Sequence, residues 1–459
     1  MIPNPLTTAT RRRRVAAAVL TAALLAVTGC SAGTGAGSAT NTVSAPAATD
    51  GPVVIDFWHS SSGAAGKVVE DLVAKYNASN TDGVTVKAIY QGSYEDAISK
   101  FTNAVTSGGT PDLMQASDVN TSFMVDSGLV TPAEDAMAAY QVPYAAEKVS
   151  PAVKNYYTID GKLWSVPFQV SQPLVYFNPD LIAKAGLDAS KLPATTAELF
   201  NWARIIKEKT GVAGLTFHLN PWWNEEFASS AGIEYCTPGN GTTGAPVDAV
   251  RYTAASQVGV WNTIQELFTS KAIFNVGKDG SAAQNAFTGG SAAMLLSSSG
   301  SLGNVVKAKG TDFLTAPFPV DDAAKGGAVP GGNSVWIIGK DKSGATQRAA
   351  ARFAAFLASP DSQVASFQGS GYLPASTDAQ ATAATSATPA QKVLLDQVAV
   401  TKSNVVTAGC HSGALNSIRL ELQPVLEQIA AGTPVEAAFQ QAEAKATSAI
   451  ETYNARAGK

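Results

Sequence analysis

Residues 293–304, AMLLSSSGSLGN, raise the first chemical question. An apolar run breaks into Ser297, Ser298, Ser299, Gly300 and Ser301 without a single charge. Two readings stand side by side. Serine and glycine are frequent turn formers. A buried strand that ends in hydroxyls and backbone N–H groups at a helix start also makes an anion cradle, because the donors converge and the helix dipole favours negative charge. Catalytic candidates are sparse. His59, His218 and His411 are isolated, with no His-x-x-x-His pair, no Gly-x-Ser-x-Gly and no Cys-x-x-Cys. No nucleophile is spelled with its base, so each histidine reads as structural or surface. GNGTTG (239–244) has Gly-x-Gly-x-x-Gly spacing. The helical pattern after it starts only beyond Pro246, so it reads as a surface turn around Asn240 and Gly241.

The elements that must position such groups follow an α/β pattern. At 459 residues the chain is long enough for two domains. With 15% charged residues, a net charge of −4 and no basic stripe, nucleic acid is excluded as a partner. PVVIDFWHS reads as a buried strand. GKVVEDLVAKYNAS follows with Val68, Val69, Leu72, Val73 and Tyr76 on one helical face, and then GVTVKAIYQG reads as another strand. That order implies a substantially parallel sheet. Thr195 and Glu198 have capping-box spacing before an apolar stripe. Further on, VWIIG (335–339) reads as a strand. Near the end, Thr433, Pro434 and Glu436 predict a helix with Thr433 as N-cap.

The N-terminus reads as a processing segment. Arg11 to Arg14 precede VAAAVLTAALLAV, an apolar run of 13 residues, too short to span a bilayer comfortably. VTGC follows and resembles a bacterial lipobox. Residues 1–29 are then a signal peptide, Cys30 is the lipidated (palmitate-carrying) residue, and 30–51 are a small, polar tether. This implies anchoring to the outer face of the cell membrane, with no other membrane contact. Cys236 and Cys410 remain. In an exported chain two leftover cysteines often pair, and two separately buried thiols are the alternative.

Several stretches share one resemblance: FWHSSSG, YQGSYED, PDLMQASDV, GKLWSVPFQVSQPLVYFNPDLIAKAGLD, SAAMLLSSSGSLGN, GGNSVWIIGKDK, GSGYLPAS and SIRLEL. Together they resemble the solute-binding components of ABC importers, and most of all the glycerol-3-phosphate and glycerophosphodiester binders. The resemblance implies a two-lobed α/β fold of the type II, maltose-binding-protein-like kind, with the ligand cleft between the lobes. Lobe I would comprise 52–165 plus 316–372, and lobe II 170–310 plus 375–459. It also implies a monomer without cofactor or metal, permease subunits as partners, and no catalytic residues. Carried over position by position, the ligand residues are Tyr94, Asp118, Ser171, Ser298, Gly332, Tyr372 and Arg419. The close relatives carry Glu where this chain has Asp118, and the residues just before Ser417 also differ.

These residue types suit a phosphodiester. Arg419 offers a planar, permanently charged fork for phosphate oxygens. Ser298 and the tyrosines supply neutral donors, and Gly300 removes bulk beside the serine turn. Asp118 accepts hydrogen bonds from glycerol hydroxyls. In NPWWNEEF (220–227) turn signals predict a loop. One of Trp222 and Trp223 is expected to cap a core. The other faces the cleft, where an indole attracts a quaternary ammonium group. Glu225 and Glu226 read as solvated charges, and Leu219 as apolar wall. The expected ligand is glycerophosphocholine or sn-glycerol 3-phosphate. A diester carries about −1 and a monoester about −1.5 to −2, so a single arginine favours the diester. The alternatives are an oligosaccharide binder and a secreted glycerophosphodiester hydrolase.

Overall fold

The computed structural model describes residue 47, residues 51–310 and residues 312–459. The signal segment, Cys30 and most of the tether lie outside the described residues.

Two mixed sheets carry the molecule. In the first, Val53–His59 pairs in parallel with Val84–Tyr90 and with Leu113–Ser117. The helix Gly63–Ser79 buries Val68, Val69, Leu72, Val73 and Tyr76 against this sheet, as its spacing predicts. Gly331–Ile338 then enters antiparallel to Leu113–Ser117, Val130–Thr131 and Val166–Ser171. The sheet is therefore less parallel than the strand–helix–strand pattern implies. Its central strand arrives from the second sheet rather than through a helical crossover, so the right-handed parallel rule does not apply to it.

The second sheet has the order Ile273–Asn275, Ala213–Phe217, Ala292–Ser298, Pro173–Phe177, Leu314–Pro317. Its first three strands are parallel neighbours and the last two run antiparallel. Leu314–Pro317 pairs here with Pro173–Phe177, before the chain returns to the first sheet at Gly331–Ile338.

One residue separates the sheets at their first connection. Gln172 lies between Val166–Ser171 and Pro173–Phe177 and is fully buried. Its N–H donates to Ser299 Oγ (3.3 Å), its carbonyl accepts from the Ser299 N–H (2.8 Å), and its Nε2 donates to Thr401 Oγ1 (2.9 Å). A buried crossing with its polar groups matched in this way has one geometry.

Two local expectations need correction. The last helix is Val435–Ala457 and its N-cap is Pro434, not Thr433. The Thr433 N–H closes the end of the preceding helix on the Gln428 carbonyl (2.9 Å), so it is not left for the Glu436 side chain and the reciprocal half of a capping box does not form. Asn240 is fully buried rather than a surface turn. Its side chain accepts from the Cys236 N–H (2.9 Å) and donates to the Val405 carbonyl (2.8 Å), and its carbonyl accepts from the His411 N–H (2.8 Å). It thus joins the two chain segments that a Cys236–Cys410 disulfide also joins, with Cα atoms 5.8 Å apart. Each histidine packs against an aromatic ring: His59 on Phe57, His218 on Trp223 and His411 on Tyr156.

Candidate functional site

A cleft of about 520 Å³ opens where the connections between the sheets converge. It is lined by Tyr94, Asp118, Ser171, Trp222, Ser298, Gly332, Tyr372 and Arg419. Tyr94 opens the helix Tyr94–Ser107, whose Ser93 and Asp96 form a capping box that fixes the first turn. Asp118 follows the fully buried strand Leu113–Ser117, and Ser171 ends its own strand beside the crossing. Gly332 sits at the start of its strand with φ +97°. A Cβ there would stand 2.5 Å from the Gln169 carbonyl, so no other residue keeps this backbone path.

The four serines of the stretch resolve into three roles. Ala292–Ser298 is a strand, Ser299–Ser301 a single 3₁₀ turn and Leu302–Lys309 a helix, the order its sequence suggests. Ser297 and Ser301 bond to each other (2.9 Å), and Ser299 clips Gln172. Ser298 alone of the four lines the cleft, with its Oγ accepting from the Gly300 N–H (3.1 Å). The hydroxyls therefore all take part in the turn or its packing, and Ser298 is the one at the cleft. A Cβ on Gly300 would stand 2.6 Å from Cζ of Tyr372, so this glycine makes room for a ring that borders the cleft.

NPWWNEEF is a helix, Trp222–Ser230, and not a loop. Pro221 is its N-cap, and Asn220 Oδ1 accepts from the Trp222 N–H (2.9 Å), so the proline starts structure rather than breaking it. Successive helical side chains diverge by about 100°. Trp222 accordingly lines the cleft, while Trp223 is fully buried. Trp223 packs edge-on to Phe217 and donates from Nε1 to the His218 carbonyl (2.9 Å), so it is not placed to contact a ligand. Leu219 belongs to the same core and does not form cleft wall.

Glu225 and Glu226 are buried, contrary to the expectation of solvated charges. Glu226 accepts from the Val329 N–H (2.9 Å), and Ser229 and Ser230 bond the Gly327 and Pro319 carbonyls. This helix therefore grips the passage that returns to the first sheet. Glu225 Oε1 accepts from Arg419 Nε at 2.6 Å, with the two side chains 3% and 16% exposed. Burial acts to lower the Arg419 guanidinium, but Glu225, through its charge and hydrogen bond, together with Asp118 and Tyr156 makes the net shift upward. Arg419 Nη2 is buried without a hydrogen-bond partner among the described residues.

Asp118 is pushed up to about 6, first by burial and then by Glu225, with Arg419 pulling the other way. Burial raises the hydroxyls of Tyr94 and Tyr372, which stay protonated at neutral pH. Tyr94 Oη accepts from Asn333 Nδ2 (2.9 Å), and its own hydroxyl interacts with that of Tyr372.

Asn120, Asn220, Asn416 and Gln423 also line the cleft and were not singled out from sequence. The signal was present for two of them. Asn416, Arg419, Leu420 and Gln423 fall at i, i+3, i+4 and i+7 of the helix Leu415–Ala430, which puts them on one face. Among the described residues, no group of three or more His, Cys, Asp or Glu side chains is placed to hold a metal ion.

Residues 71–393 match the family model for bacterial extracellular solute-binding proteins, and the chain belongs to that family. It is thus an extracytoplasmic solute-binding protein of the ABC-importer type, not an enzyme. Among its relatives is the sn-glycerol-3-phosphate-binding periplasmic protein UgpB of Escherichia coli K12, 32% identical over 328 residues, covering 70% of this chain and 74% of that protein. The UgpB of Pectobacterium atrosepticum is 30% identical, covering 73% and 75%. Among solved structures, UgpB of Mycobacterium tuberculosis in complex with glycerophosphocholine superposes with a TM-score of 0.71 at 21% identity, covering 88% of this chain and 99% of that one. The GacH receptor of Streptomyces glaucescens, solved with acarbose, gives 0.73 at 21%, covering 87% and 99%. These likenesses fix the fold as the two-lobed, maltose-binding-protein-like α/β architecture.

Proposed function

We propose that this protein captures glycerophosphodiesters, glycerophosphocholine foremost, and hands them to the permease subunits of an ABC importer. The observation that carries this reading is the meeting of three chemistries in one cleft. Arg419 brings a buried guanidinium to the cleft wall for phosphate, Asp118 is a buried acceptor for a diol, and Trp222 offers an indole face for a quaternary ammonium group. Ser171, Ser298, Gly332 and the two tyrosines add neutral donors between them. The relatives' names are consistent with this ligand class. A second reading, an oligosaccharide, is favoured by the four amides Asn120, Asn220, Asn416 and Gln423 beside a tryptophan and a carboxylate.

Calorimetry with glycerophosphocholine, other glycerophosphodiesters, sn-glycerol 3-phosphate and maltose separates the two. Saturable binding of the diesters and none of maltose is the expected pattern. The reverse pattern refutes the phosphodiester assignment.

A pH dependence follows from Asp118. Glycerol hydroxyls donate to its ionised form, so protonation competes with binding. The group titrates at about 6. Affinity for a diester should be flat well above that pH and fall by about tenfold per unit well below it. Calorimetry with glycerophosphocholine checks this, because the diester phosphate itself does not titrate there. An affinity unchanged on both sides of pH 6 contradicts the role given to Asp118.

We also propose that Cys30 carries the lipid that tethers the chain to the membrane. In the native host, labelling with a palmitate analogue should mark the wild type and fail on Cys30→Ala. A label that survives the substitution places the anchor elsewhere or removes it from the account.

A further inference from the structure

The cleft presents its arginine already paired. Arg419 Nε donates to Glu225 Oε1 at 2.6 Å, and the carboxylate side chain is 3% exposed. The second buried carboxylate facing the same guanidinium across the cleft is Asp118, 9% exposed. The site therefore brings two carboxylates to a single buried cation. Lys278 and Glu95 stand at the rim with opposite charges, both exposed and screened by solvent. Arg419 lines the cleft with its guanidinium, but most of its charge is balanced before any ligand arrives.

We infer that Glu225 is the specificity-determining residue of the cleft: by holding Arg419 through Nε it fixes the guanidinium against the cleft and offsets its charge, so that the site selects ligands by net charge. A zwitterionic diester brings one negative charge to the guanidinium and a compensating cation elsewhere, and leaves the buried charge sum unchanged. A dianionic monoester adds two negative charges beside Glu225 and Asp118, where low dielectric magnifies repulsion. A carboxylate that rejects the wrong charge does so without touching the right ligand. This inference rests on the glycerophosphodiester reading and adds to it which residue sets the preference.

The test compares wild type, Glu225→Gln and Glu225→Asp by calorimetry, each with glycerophosphocholine and with sn-glycerol 3-phosphate at a pH where the monoester is fully dianionic. Wild type should prefer the diester. Glu225→Gln keeps the size and an acceptor for Nε but removes the charge, and should move the affinity ratio toward the monoester by about tenfold or more. Glu225→Asp keeps the charge and loosens the hold, and should weaken both ligands while preserving the ratio. A ratio within about twofold of wild type in Glu225→Gln, with diester binding intact, overturns the inference and leaves the diester reading standing. Wild type that binds no phosphodiester overturns the reading and the inference together. Should the variants fail to fold, wild type alone decides on a series of ligands without a quaternary ammonium group: affinity should fall from monoanionic glycerophosphoglycerol to the dianionic monoester. Equal affinities across that series overturn the inference.

Discussion

Arg419→Ala should weaken glycerophosphodiester binding by about 2–5 kcal/mol, the range for truncating one partner of a buried, hydrogen-bonded charge pair. That is roughly 30-fold to several thousand-fold in dissociation constant. Two effects are folded into the number. The ligand loses a charge-assisted donor, and Glu225, 3% exposed, is left as a buried carboxylate without its cation. The second effect also lowers stability. The double variant Arg419→Ala with Glu225→Gln separates them: a neutral amide relieves the stranded charge, so the melting temperature should recover while affinity does not. Calorimetry and a thermal melt on both variants measure this. Wild-type affinity in Arg419→Ala would remove Arg419 from the binding site.

The adjacent tryptophans should respond in opposite ways. Trp223→Ala should cost about 3–5 kcal/mol of folding stability, because a fully buried indole leaves a large cavity. It also strands the His218 carbonyl that its Nε1–H now satisfies. Trp222→Ala should lower the melt less than Trp223→Ala, since its ring is only partly buried against Trp223, and should weaken glycerophosphocholine by about 1–2 kcal/mol, the range for a desolvated cation–π contact. Binding of sn-glycerol 3-phosphate, which has nothing to place on the ring, should hardly change. Equal losses for both ligands in Trp222→Ala would mean that the ring contacts the glycerophosphate itself. A wild-type melt in Trp223→Ala would contradict its place in the core.

Much of this site was legible in the residues. The break from AMLL into serines marks a strand that ends at a turn and a helix start, and the structure has that order. What could not be read was which hydroxyl faces the cleft, because the other three are used by Gln172 and by each other across distances in sequence. The tryptophans show a second limit. Asn-Pro spells a turn, but a proline followed by helix formers also spells a helix N-terminus, and the choice decides which indole points outward. Glu225 shows the third. A glutamate beside another glutamate reads as surface, and only the partner 194 residues away makes its burial tolerable. Its pairing also alters the charge argument, since a lone arginine and a paired one favour different anions. The antiparallel entry of Gly331–Ile338 escapes local pattern for the same reason, because it depends on where the chain has been.

The most direct measurement is the structure of the protein crystallised with glycerophosphocholine. The expected complex places a phosphate oxygen within hydrogen-bond distance of the Arg419 guanidinium, a glycerol hydroxyl on the Asp118 carboxylate and the trimethylammonium group over the Trp222 ring, with the Arg419–Glu225 pair kept. A phosphate held elsewhere, with Arg419 still turned wholly to Glu225, would contradict the assignment of this cleft to phosphodiesters.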